Sequence, residues 1–274
     1  MDWGLVLVSQ GIEATIEPPS DQGGWALTVA PEDYHRAVES LRLYRLENRA
    51  WPWQQKVFRP GIIFDWGSAA WVALLFLFFW LENRQNLDAV GVMDSGAVAR
   101  GQWWRLFTAT WLHADAAHLA GNATVGLLLL GFVMGRYGTG AGLLAACLTG
   151  AGGNFATYLF ARAPHYGLGA SGVVMGAVGL LAVQSVSLWR VTPQAQRFIV
   201  AGIAGGAMLF VLLGVAPDTD VVAHFGGFIT GVILGLPLTL FPSAGKKPAL
   251  NLLCGLLFAL LVIVPWWLAL RVAK

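Results

Sequence analysis

Charge is what this chain has least of. Only 12% of its 274 residues are Asp, Glu, Lys or Arg, about half the share of an ordinary soluble domain. That excludes a water-facing surface over most of its length. Cysteine is nearly absent as well. Cys147 and Cys254 both lie inside long apolar runs and read as packing residues, neither a disulfide nor a metal pair. No short charged-then-apolar leader opens the chain, because the first long apolar run starts past residue 60, so a cleavable signal peptide is not expected. The pI near 8.7 comes from scattered flanking Lys and Arg, not from a dense basic face, which excludes a nucleic-acid partner.

Hydrophobic residues are what is abundant, at 57%. They fall in blocks of about 20, the length that crosses a bilayer as a helix. Such runs occupy 62–81, 118–135, 139–161, 169–188, 197–216, 221–240 and 249–270. The expected fold is therefore an all-α polytopic membrane protein with seven spans. Residues 1–55 stand apart as a small α/β appendage. "LVLVSQ", "IEATIEP" and "GWALTVA" read as short strands, and "PEDYHRAVESLRLYRLENR" as a helix whose Pro31 and acids suit its start and whose arginines suit its end. Val38, Leu41 and Leu46 are expected to give that helix a face against the strands. No chemistry is legible in the appendage, and a cytoplasmic partner for residues 1–55 stays open. Residues 56–61 complete a linker in which Trp51 and Trp53 suit a membrane interface.

With the N-terminus cytoplasmic, more of the Lys and Arg residues fall on the inner side than on the outer, which sets N-inside and C-outside. The long segment 82–117 contains "AVARGQWWRLFTATWLHADAAH", part of it amphipathic enough to lie in the interface. Trp103, Trp104 and Trp111 read as an interfacial anchor, and Trp266 and Trp267 as the outer boundary of the last span.

Four polar groups interrupt the apolar runs: His118 and Asn122 at the start of the second span, Ser171 at the start of the fourth, and His224 at the start of the sixth. Polar groups within spans are costly and mark function. Even-numbered spans all begin on one side, and each group lies within two turns of its helix start, roughly 5–8 Å deep. All four therefore share one face and one depth. Gly172, Gly176 and Gly179 follow Ser171, while Gly227, Gly231 and Gly235 share the face of His224. Glycine stripes let helices approach closely in lipid, so spans four and six are expected to pack there and bring Ser171 to His224. A neutral imidazole then takes the serine proton and creates a nucleophile. His118 and Asn122, one turn apart, and the backbone amides at the start of the fourth span suit a developing oxyanion. No acid is needed; Asp220 reads as an N-cap. Taken singly, each residue has a plainer reading: Ser171 as a small packing residue, Asn122 as inter-helix glue, His113 and Arg105 as structural, and Asp218 and Asp220 as a solvated loop.

These motifs resemble those of the rhomboid intramembrane serine proteases. "GASG" spans Gly169 to Gly172; the WR pair falls on Trp104 and Arg105; the two-histidine-plus-Asn pattern falls on His113, His118 and Asn122; and AHxxGxxxG falls on Ala223, His224, Gly227 and Gly231. The resemblance covers residues 62–240. It implies a six-helix core with a Ser171–His224 dyad, an oxyanion site of His118, Asn122 and the Ser171 amide, and cleavage of transmembrane substrates near their outer boundary without metal or cofactor. Residues 241–274 then form a loop and the extra helix of the six-plus-one variant, in the inner membrane of a bacterial cell. Substrate would enter between spans two and five, or over the first and fifth loops. Two positions depart from the family pattern. Met175 stands where an aromatic residue usually faces the imidazole, and Met134 stands where an acid usually closes the second span. The competing class is a non-proteolytic binder of membrane clients, which the intact Ser171 and His224 disfavour. A transporter would want polar groups at the midplane or an inverted repeat, and the chain has neither.

Overall fold

The computed structural model describes residues 2–18, 25–48, 63–161, 164–184, 195–214, 219–240 and 247–272. The linker with Trp51 and Trp53, and Asp218, lie outside these residues. The chain divides into two compact units, Met1–Gly61 and Ile62–Lys274.

The first unit departs from its expected strand-strand-strand-helix order. "LVLVSQ" belongs to a helix, α1 (Asp2–Ser9), not to a strand. A short apolar run bounded by turn residues fits a buried helix as well as a strand, so its period cannot decide. The turn chemistry decides. Gly11 has φ +71°, the Ile12 amide donates to Leu7 O at 2.9 Å and the Gly11 amide to Val8 O at 3.0 Å. Those paired bonds close a helix end around a left-handed glycine, and the accompanying apolar contact is Leu7 with Ile12, both buried. An antiparallel hairpin follows, β1 (Ala14–Glu17) with β2 (Ala26–Val29). Then comes a 3-10 turn at Pro31–Asp33 and α2 (Tyr34–Glu47). The buried face of α2 is Ala37 with Leu41; Val38 and Leu46 are exposed.

The second unit is predominantly helical. α3 (Gly67–Gln85) ends in a polar Glu-Asn-Arg stretch. A run of short elements follows: α4 (Asp88–Gly91), β3 (Met93–Asp94), α5 (Ser95–Ala99) and α6 (Arg105–Thr108). Then come α7 (Ala116–Tyr137), α8 (Thr139–Phe160), β4 (Tyr166–Gly167), α9 (Ser171–Gln184), α10 (Ala195–Gly214), α11 (Val221–Leu240) and α12 (Pro248–Val272). Among the described residues α7, α8, α11 and α12 are long and apolar enough to cross a membrane, while α9 and the Ile199–Val211 part of α10 are shorter apolar helices. The protein is a polytopic helical membrane protein.

Small residues set the helix spacing. α11 lies against α9 and α8, and α9 also against α10 and α7. A methyl group built on Gly227 would come within 3.0 Å of Gly172 Cα, and one on Gly231 within 3.0 Å of Gly176 Cα. The two glycine stripes thus meet backbone to backbone, as their spacing predicts. Elsewhere glycines receive side chains: Gly126 of α7 faces the Trp71 ring of α3, and Gly131 faces Phe64.

The segment between α3 and α7 is a folded loop of short helices held by buried groups. Arg105 Nη1 donates to Val92 O at 2.8 Å, Nη2 to Ala89 O at 2.9 Å, and Nε to Gln102 Oε1 at 2.7 Å. Its guanidinium fork satisfies the carbonyls of a loop that has no ladder to use them. Trp111 is buried against Phe78 and Phe258, and Trp266 stacks on Phe78 at 5.1 Å. Trp111 is therefore a core ring and not an interfacial anchor. Trp103 and Trp267 remain exposed, as interfacial rings do.

Candidate active site

One cavity of about 790 Å³ opens at the end of the bundle where α7, α9 and α11 begin. His118, Asn122, Ser171 and His224 all line it, together with Gly169 and Met175. The four polar groups meet on one cavity at one end of the bundle, where their helices start.

Each group owes its place to local structure. Asp115 caps α7, its Oδ1 accepting the His118 amide at 2.8 Å, which fixes the first turn and puts His118 and Asn122 on one face. Ser171 is the first residue of α9, where the opening amides have no acceptor within the helix. Asp220 caps α11 as expected, its Oδ1 accepting the Ala223 amide at 2.9 Å, and His224 follows in the first turn, 4% exposed. The Gly172–Gly227 contact lies one residue beyond Ser171 and three beyond His224. The two helices thus meet backbone to backbone at the turn that carries both side chains, as closely as they do further down at Gly176 and Gly231.

Gly169 shows how tightly the walls close. Its φ of +123° belongs to glycine, and a methyl there would sit 2.6 Å from His118 Cε1, 2.8 Å from its Nε2 and 3.7 Å from Asn122 Nδ2. The loop leading to Ser171 therefore runs directly over the two side chains expected to stabilise an oxyanion. Asn122 Nδ2 is buried and has no hydrogen-bond partner among the described residues.

His113 stands behind the cavity, 2% exposed. Its backbone amide donates to Glu82 Oε2 at 3.2 Å, and its ring meets that of His118 edge-on at 5.1 Å. Its Nε2 accepts the Ala170 amide at 3.4 Å, a long bond. Burial first, and the neighbouring His118 second, push its imidazole down to about 4. It is therefore neutral near pH 7 and able to accept. Met175, at the position where an aromatic residue was expected, packs with Val174 and Val178 against Phe210 and Phe228. Met134, at the missing acid, is buried; a carboxylate reaches that end of the bundle from Asp65, whose Oδ2 accepts the Thr139 hydroxyl at 2.6 Å.

Two residues on the cavity carried no role in the sequence reading. Asn154 of α8 donates Nδ2 to Leu106 O at 2.7 Å. His165 lies in the loop before Ser171 and bonds Asp220. A usable signal existed: of five histidines, three line this cavity, His113 stands behind it, and only His35 belongs to the other unit.

Comparison with known proteins identifies the family. The family model of the Rhomboid domain matches residues 100–241, just over half of the chain. The chain is 31% identical over 200 residues to rhomboid protease GluP of Bacillus subtilis (strain 168), covering 69% of this chain and 37% of that protein. It is 34% identical over 162 residues to RHOMBOID-like protein 4 of Arabidopsis thaliana, covering 58% and 40%. With Rhomboid-like protease 3 of Toxoplasma gondii the figures are 28% over 193 residues, 66% and 72%. The chain thus spans about two fifths of the length of the first curated relatives it matches. The chain belongs to the rhomboid family.

Proposed function

We propose that this protein is an intramembrane serine endopeptidase. Ser171 is the nucleophile and His224 its general base, with His118, Asn122 and the Ser171 amide around the oxyanion. The observation that carries the reading is Asn122 Nδ2, a buried donor lacking a partner among the described residues, next to His118 and Gly169 on the cavity that Ser171 and His224 share. A buried unpaired donor is costly in a resting protein. It becomes useful when a carbonyl oxygen gains charge beside it. Two of the relatives are named as proteases, which supports the same chemistry.

The steps follow from those groups. The Ser171 hydroxyl proton passes to the His224 ring as Oγ bonds to the scissile carbonyl carbon. The carbonyl oxygen, now an anion, is met by the donors beneath Gly169. The carbon–nitrogen bond breaks as His224 returns its proton to the leaving amine. Water, deprotonated by His224, then attacks the acyl-serine and restores the hydroxyl. Nothing in these steps calls on a metal or a cofactor.

The substrate is a transmembrane segment, unwound where it meets the cavity between α7 and α10 or over the loops above them. Topology is N-inside and C-outside, with the starts of α7, α9 and α11 at the outer face of a bacterial inner membrane. Residues 1–55 form a cytoplasmic appendage, 56–61 a linker, 62–240 the catalytic core, and 241–274 a loop and additional helix. Co-expression with a tagged single-span reporter tests the reading. Wild type yields a fragment, and neither Ser171→Ala nor His224→Ala does. Cleavage persisting in either variant sinks the dyad. Capture of reporter without cleavage or fluorophosphonate labelling points instead to a binder of membrane clients.

A further inference from the structure

Three elements that have no contact in the sequence meet on one carboxylate at the mouth of the cavity. Asp220 Oδ2 lies 2.8 Å from His165 Nε2 and accepts the Thr157 hydroxyl of α8 at 3.1 Å. Its other oxygen, Oδ1, caps α11 through the Ala223 amide. A carboxylate oxygen only accepts, so Nε2 is the protonated nitrogen of His165. The backbone of His165 is held as well. Its amide donates to Ser95 Oγ at 3.0 Å, its carbonyl accepts the Ser95 amide at 3.1 Å, and the next residues, Tyr166 and Gly167, pair with Asp94 and Met93. The ring and the carboxyl are both about a quarter exposed, and both line the cavity.

The consequence lies in what each end carries. His165 sits six residues before Ser171 on the loop that crosses His118 and Asn122. Asp220 sits four residues before His224 and sets the first turn of its helix. Below the cavity the two helices are spaced by glycine backbones, which fix their separation. Above it, this side-chain bond joins the loop before Ser171 to the start of α11. We propose that His165 and Asp220 are a positioning pair that sets the serine-bearing loop against the histidine-bearing helix in the geometry needed for proton transfer. The proposal rests on the proteolytic reading above. Neither residue is a catalytic residue: both act through Ser171 and His224.

Purified full-length protein in bilayers, with the cleavable reporter and a fluorophosphonate as separate substrates, tests it. Loss of one hydrogen bond at a reacting pair is worth about tenfold in rate. His165→Ala is therefore expected to lower kcat and the rate of Ser171 labelling by about tenfold, while KM and Tm stay near wild type. His165→Gln, whose amide nitrogen reaches the place of Nε2, restores most of the rate. Asp220→Asn keeps a capping oxygen but faces His165 with an amide N–H, which only the other tautomer of the ring can meet, so its loss is at most that of His165→Ala. The double variant His165→Ala/Asp220→Asn loses no more than His165→Ala alone, as members of one pair do. Unchanged labelling and kcat in His165→Ala would overturn the proposal. So would a loss that Gln does not restore and that tracks a fall in Tm, since that is the mark of a purely structural contact. A wild type that neither labels nor cleaves sinks the proteolytic reading and this pair with it.

Discussion

The α9–α11 seam and the α3–α7 seam both use glycine, and they use it differently. Between α9 and α11, Gly227 and Gly231 meet the backbone of Gly172 and Gly176, and Gly179 meets Phe228 and Val232. Between α3 and α7, Gly126 is a socket for the Trp71 ring, while Phe64, just before α3, fills the space over Gly131. In the first case the helix separation is set by main-chain atoms, which have no rotamers to give. In the second, rings that can tilt fill the contacts at Gly126 and Gly131, although main chain also meets main chain where Gly135 faces Ile63. The seam that bears Ser171 and His224 is thus the one with less slack, which suits a proton transfer that tolerates little misplacement.

The sharpest way to break this comparison is to put the same insult on both seams. Gly231→Val drives a branched side chain into the Gly176 backbone. We expect loss of cleavage together with a destabilisation of about 3 kcal/mol or more, the upper end for overpacking. Gly126→Ala meets only the edge of Trp71, at 2.5 Å and 2.7 Å from two ring carbons. The ring can shift, so about 1 kcal/mol and retained cleavage are expected. Thermal unfolding and reporter cleavage, measured on the two variants side by side, check this. Equal losses would mean that the rigid seam has no special standing.

Asn122→Ala comes next and sharpens the catalytic half of the comparison. The side chain makes no hydrogen bond through Nδ2 in the resting protein among the described residues, so its removal should leave Tm nearly unchanged. Cleavage and fluorophosphonate labelling should fall by about a hundredfold, or ~3 kcal/mol, the usual worth of one oxyanion donor. A fall in Tm with a proportionate loss of rate would make Asn122 inter-helix glue instead.

How much of this was legible in the sequence differs between the same regions. The glycine stripes declared the α9–α11 contact because only a helical period gathers Gly227, Gly231 and Gly235 on the face of His224. The polar groups declared their common end because they sit at helix starts of equal parity. Nothing comparable announced the aromatic sockets. A tryptophan beside a span reads the same whether it floats at the interface or plugs a groove, so Trp111 reads as an anchor although it packs between Phe78 and Phe258. The His165–Asp220 bond was equally silent, since it joins two loop positions whose meeting depends on the whole bundle. The α1 segment failed for a local reason: its apolar residues suit either structure, and Gly11, the residue that decides, lies beyond them.

A smaller effect is expected from acid. The His113 imidazole is held down to about 4, below the ordinary value near 6.5 for an exposed histidine. Between those values the unfolded chain binds a proton that the native protein refuses. Stability is therefore fully present above pH 6.5 and falls as pH drops towards 4, by up to about 3 kcal/mol if complete. Over the accessible range of pH 7 to 5 about 2 kcal/mol is at stake. His113→Asn should flatten the Tm profile over that range relative to wild type. A profile as steep as wild type would place the acid sensitivity elsewhere.

The smallest effect should come from the third glycine contact, which lies outside the catalytic seam. Gly138 opens α8 and offers no capping side chain, so the first amides of that helix need an acceptor from elsewhere. α12 supplies it: Asn251 Oδ1 accepts the Gly140 amide at 2.8 Å and the Ala141 amide at 3.2 Å. A methyl on Gly140 would lie 2.9 Å from Gly255 N, so here too backbone meets backbone. This contact sits at the end of α8 opposite Asn154 and Thr157, which approach the cavity. Asn251→Ala removes the cap but leaves the spacing. About 1 kcal/mol should be lost, with kcat and KM on the reporter unchanged. Asn251→Asp, which keeps the acceptor and adds charge at a helix start, should hold or raise Tm. If instead kcat falls in Asn251→Ala while Tm does not, α12 is coupled to the serine–histidine seam, and rigidity at that seam extends through α8.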